Sequence, residues 1–112
     1  VVVNDLTIQS GTLNSNNLNI NLGGNWLDNG TFTPGSGTVT LDGAADQSIT
    51  GTSGALFNSL TLDGSGTKTL GSNITVDGTL SIHSTLDVSS SDFSIVNNGN
   101  WNNTGLFPGP EP

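Results

Sequence analysis

Three carboxylates recur in one phrase, at Asp42-Gly43, Asp63-Gly64 and Asp77-Gly78. Two carboxyl groups held roughly 5–10 Å apart can cleave a glycosidic bond. Here each Asp is followed by Gly, which is the signature of a turn. A polysaccharide lyase would also need cations beside its acidic sugar, and the chain has one Lys and no Arg. No acid–base pair emerges, so the expectation is a protein that is not an enzyme. The segment Gly64-Ser65-Gly66-Thr67-Lys68-Thr69 has the look of a phosphate-binding loop, but Lys68 is out of frame. The following Leu70-Gly71-Ser72-Asn73 is no helix to direct its dipole at phosphate, so a turn is expected there. As a donor for an isopeptide bond, Lys68 has no Asn or Asp that the sequence singles out.

His83 lacks a second His or Cys with which to hold a metal, and an exposed strand position is expected for it. Asp and Asn oxygens at turns suit a hard cation. Calcium is therefore the one cofactor worth weighing, although neither an EF-hand loop nor a Gly-Gly-x-Gly-x-Asp repeat is present. Trp26 and Trp101 would form a sugar-stacking platform if exposed; in a chain this poor in aromatics, core plugs are the commoner role. The sequons at Asn29, Asn73 and Asn102 match the glycan acceptor pattern, as chance allows in a chain rich in Asn and Thr.

Such residues need strands to position them. Gly, Asn, Thr and Ser make up more than half of the 112 residues, and the net charge is −8. Composition of this kind often means disorder, because little apolar surface can be buried. The apolar residues nevertheless recur in short period-two runs, as in Thr38-Val39-Thr40-Leu41, Leu60-Thr61-Leu62, Ile74-Thr75-Val76 and Leu80-Ser81-Ile82. Gly, Asn, Asp and Ser fill the intervals. An all-β chain follows. Nucleic acid and anionic membrane are excluded as partners by the missing basic patch. No apolar run reaches the roughly 18 residues of a membrane-spanning helix. Val1-Val2-Val3 lacks a secretory leader, so a targeting segment would have been removed or lie outside this stretch.

Internal repetition is the most informative feature. Leu6-Thr7-Ile8 and Leu80-Ser81-Ile82 lie 74 residues apart, and Gly24-Asn25-Trp26 and Gly99-Asn100-Trp101 lie 75 apart. Residues 1–106 therefore read as one repeat-built β domain, about one and a half copies of a roughly 75-residue unit. Residues 107–112 form a proline-rich tail that cannot continue a ladder. Two architectures satisfy the strand spacing. A parallel β-solenoid of about five short coils, some 20 to 22 residues each, would direct Leu60 and Leu62, Ile74 and Val76, and Phe93 and Ile95 inward. An antiparallel β-sandwich would use the Asp-Gly pairs as hairpin turns. The solenoid is preferred because it can be cut anywhere in its own repeat.

The run from Gly24 to Gly43, continued by Gln47-Ser48-Ile49-Thr50-Gly51, Phe57-Asn58-Ser59-Leu60 and Leu70-Gly71-Ser72-Asn73-Ile74, resembles repeats of long secreted bacterial surface proteins. That resemblance to adhesin-like stalks implies a β-helical architecture, an extracellular or cell-surface location and no catalytic residues. The expected function is a non-catalytic structural segment of a fibre or adhesin stalk. Its partners would be copies of itself or the continuing chain, and Val1, Val2, Val3, Leu106 and Phe107 the assembly interface. The rival reading is a carbohydrate-binding module that takes polysaccharide on Trp26 or Trp101.

Overall fold

A computed structural model describes residues 2–52, 55–88 and 93–105. The first coil comprises β1 (Val2–Val3), β2 (Leu6–Ile8) and β3 (Thr12–Asn14). The second is β4 (Ile20–Leu22), β5 (Trp26–Asp28) and β6 (Thr31–Thr33). The third is β7 (Thr38–Leu41), β8 (Gln47–Gly51) and β9 (Ala55–Phe57). The fourth is β10 (Ser59–Leu62), β11 (Thr67–Leu70) and β12 (Ile74–Val76). The fifth is β13 (Leu80–Ile82), β14 (Thr85–Asp87) and β15 (Ile95–Asn97), and β16 (Trp101–Asn103) opens a sixth.

All strand pairs are parallel and join counterparts on adjacent coils, save that β6 and β9 do not pair and the strands of the end coils pair on one side only among the described residues. The result is a three-faced β-solenoid of about five turns. The first face runs β1-β4-β7-β10-β13-β16, and the second runs β2-β5-β8-β11-β14. The third is split into β3-β6 and β9-β12-β15. Along the second face the register advances by 20, 23, 21 and 18 residues per coil. The hairpin alternative is thereby set aside. Asp42-Gly43 and Asp63-Gly64 are not two-residue hairpins but stacked corners between the first and second faces. A positive φ is needed at only one of these two glycines, Gly64 at +81°.

Alternation along each strand puts one set of side chains inside. On the first face Ile20, Val39, Leu60 and Leu80 form one stacked column, and Leu22, Leu41, Leu62 and Ile82 form a second. Each such buried aliphatic side chain contributes about 1.5–3 kcal/mol relative to exposure. Three of the aromatic residues gather in one place: the Trp26 ring lies 4.8 Å from Phe32, edge to face, and 5.0 Å from Phe57.

Asn and Asp hold the corners together. Asn25 N donates to Asp5 Oδ1 at 2.7 Å, and Ser48 N donates to Asn25 Oδ1 at 3.0 Å, one coil further on. The same bond recurs from Ser36 N to Asn17, Thr38 N to Asn19, Thr67 N to Asp46 and Ser94 N to Asn73. The side-chain oxygen thus continues the ladder where the backbone bends away from it. Four of these six acceptors are Asn, which gives part of the Asn content a structural role.

The 75-residue unit is not a whole number of coils. It carries β2 onto β13 and β5 onto β16, a step of eleven strands, whereas a coil holds three. A phrase on the second face therefore returns on the first.

Candidate functional site

The two ends of the stack are one candidate. β1, β2 and β3 at one rim, and β14, β15 and β16 at the other, have a paired neighbour on one side only among the described residues. Trp101 is in register with Leu80, which is fully buried, so its indole lies in line with the inward column. It is nevertheless 45% exposed, because no described coil covers it. Ile95, in register with buried Ile74, is likewise only half-buried, as is Phe93. At the opposite rim Leu6 and Leu13 are half-buried beneath Trp26 and Phe32. Of the residues expected at the assembly interface, Val2 and Val3 form β1 at the edge of the first face. Val1, Leu106 and Phe107 lie outside the described residues, as does the 107–112 tail.

The sugar platform needs a correction. Trp26 is fully buried against Phe32 and Phe57, so it offers no face to a ligand. Trp101 does have an exposed surface, but on a rim and not on a side of the rod.

The remaining sequence candidates are scattered. Asp42 and Asp63 occupy equivalent corners on successive coils, whereas Asp77 lies at the corner between β12 and β13. Asp63 Oδ1 accepts from Gly64 N and Asp77 Oδ1 from Asn98 Nδ2, both at 2.8 Å. No group of three metal-ligating side chains occurs among the described residues. His83 is exposed, as expected, but sits at a corner after β13 with its ring facing the Thr104 hydroxyl.

Lys68 departs most from expectation. It lies within β11 and is fully buried, its Nζ donating to the Gly43 carbonyl at 3.1 Å. Burial lowers its pKa, against the opposing pull of the Asp42, Asp46 and Asp63 carboxylates. It stacks on Gln47, whose Nε2 donates to the carbonyls of Leu22 and Gly24 at 2.8 and 2.6 Å. One signal would have found it. Thr67-Lys68-Thr69-Leu70 copies the frame of Thr38-Val39-Thr40-Leu41, which puts Lys68 in phase with Leu70 and therefore inside.

The break in the third face is the second candidate. β6 and β9 face each other without pairing, leaving a half-open cavity of about 310 Å³. Its lining includes Asp28, Thr31, Phe32, Ala55, Leu56 and Thr75. Asp28 is 2% exposed, and its Oδ1 accepts from Gly30 N at 3.0 Å. Burial raises its pKa, with the Gly30 hydrogen bond acting in the opposite sense. Directly above it in register is Gly51, where an added Cβ would strike the Asp28 carbonyl oxygen. Sequence reading did not single out Asp28. Its phase with Trp26 in Trp26-Leu27-Asp28 was the available sign.

Compared with protein-family models, curated proteins and solved structures, the chain matches none of them.

Proposed function

We propose that this chain is a non-catalytic structural segment of an extracellular fibre or adhesin stalk, extended by end-on stacking of further coils. The observation that carries this reading is Trp101: it has a core residue's register and a surface residue's exposure. An apolar column that ends uncovered loses stabilisation that one more coil would restore, whether from the continuing chain or from a second copy. Stacking of copies is a head-to-tail contact that does not close on itself, so it generates filaments. The acidic flank, at net charge −8, opposes sideways clumping of rods. The adhesin and cell-surface part of the reading comes from the repeat phrases alone.

Electron microscopy of the purified chain tests assembly. Filaments, or short rods that lengthen with concentration, are expected. Dispersed particles one chain long at every concentration would remove self-stacking from the proposal.

A further inference from the structure

Whatever the rod assembles with, its five coils are not joined equally. The second and third are held by β4–β7 and β5–β8 alone, because β6 and β9 do not pair. Every other junction among the five is laddered on all three faces. At the weak junction the second face closes with the Asp28–Gly51 pair and a bond from Thr52 N to Asp28 O at 3.3 Å. A carboxylate is buried at the same place, since the Asp28 side chain points inward and is 2% exposed.

No charge offsets it. Asp28 is the only titratable side chain in β1 to β9, the strands of the first three coils, and β12 has none. Residues 9–11, 29–30 and 71–73, at the corner between the second and third faces, also lack one. Lys68 stacks on Gln47, at the other end of β8 from Gly51, and donates to the Gly43 carbonyl. The repeat shows what the corner requires. Asn103, 75 residues after Asp28, accepts from Gly105 N at 3.0 Å, just as Asp28 Oδ1 accepts from Gly30 N at 3.0 Å. The turn needs an acceptor and no charge. Yet the neutral amide occupies the exposed copy and the ionisable group the buried one, the reverse of what solvation favours.

We propose that this junction is an acid-strengthened joint, closed while Asp28 carries a proton and opening locally once Asp28 ionises. Protonated, the side chain still accepts from Gly30 N and has no charge to hydrate. Ionised, it regains full hydration only if the second and third coils part. The half-open cavity at the break, lined in part by Asp28, is the route by which water reaches it. Burial raises the Asp28 pKa above 3.8, against the Gly30 hydrogen bond, so the folded chain holds this proton more tightly than the unfolded chain. The stabilisation is whole below 3.8 and is lost as pH rises through the folded pKa.

Amide hydrogen exchange, corrected for its intrinsic pH dependence and followed from below pH 3.8 to neutrality, tests the joint. Two amides bridge the second and third coils, Asp42 N to Leu22 O and Thr52 N to Asp28 O. Their counterparts one coil on are Asp63 N to Leu41 O and Gly71 N to Ile49 O. Opening at Asp42 and Thr52 should increase as pH rises, about tenfold for each unit by which the folded pKa exceeds the unfolded one, and less at Asp63 and Gly71. Asp28→Asn keeps the acceptor for Gly30 N and should hold the joint closed at neutrality with a flat profile. Asp42→Asn, which removes an exposed carboxylate, should keep the rise and so separates the joint from net charge. The Asp28 carboxyl carbon, followed by NMR, should titrate above 3.8. A profile unchanged by Asp28→Asn, an equal rise at Asp63 and Gly71, or titration of Asp28 at or below 3.8 would overturn the proposal.

Discussion

The phrase Gly-Asn-Trp occurs twice, and its two tryptophans meet opposite fates. Trp26 is fully buried in the middle of the stack, while Trp101 is 45% exposed at its end. Both indoles are on the inward side of their strands, so local sequence sets the direction in each case. What differs is the coil above. β5 is covered by β8, but β16 has no described strand beyond it. Burial in a solenoid is a property of neighbours one coil away, about twenty residues distant in sequence, more than of the phrase itself.

The comparison predicts unequal costs for equal substitutions. Trp26→Ala removes the ring that packs on Phe32 and Phe57 and should cost about 3–5 kcal/mol in urea unfolding. Trp101→Ala should change the unfolding free energy of the unassembled chain by about 0.5 kcal/mol or less, while weakening any end-on association. Similar losses at both sites would mean that Trp101 is covered within the single chain, and the contrast would collapse.

Lys68 sharpens the same contrast, because only a closed interior penalises its charge. Its folded-state pKa is held below the ordinary 10.5, so the folded chain binds this proton more weakly than the unfolded chain does. Stability should therefore rise as pH climbs from the folded pKa toward 10.5. Lys68→Met should abolish that rise. With no Tyr or Cys in the chain, few other groups titrate in this window. An unchanged alkaline slope in the Met variant would place the ammonium in solvent.

The smallest of these middle-coil effects belongs to the corner ladder. Asn25→Ala removes the acceptor for Ser48 N and should cost about 0.5–1.5 kcal/mol. The same substitution at Asn100, the counterpart on the terminal coil, should cost less, since no described strand follows to donate to it. Parallel urea titrations of the two variants would show the difference or its absence.

Much of the fold was legible because period two survives in such short strands. Leu60 and Leu62, and Ile74 and Val76, were placed inward from spacing alone, and each is buried. Phe93 and Ile95 share that pattern but reach only half-burial, because they belong to the last coil. The Asp-Gly pairs kept a hairpin sandwich open as the alternative to the preferred solenoid. A turn signal fixes that the chain bends but not which strand it meets next. Lys68 and Asp28 were missed for a related reason: residue type argued for the surface, while phase argued for the interior.

Alternation, corner residues and the repeat itself were determined by the sequence alone, since each depends on neighbours a few residues away or on simple self-similarity. Tertiary structure decided the rest. Coil register set which phrase lies over which, and with it the one-face displacement of the 75-residue unit, the gap between β6 and β9, and the different exposures of two identical phrases. Those outcomes depend on contacts roughly twenty residues apart, whose strength lies in packing and ladder bonds that no local pattern encodes.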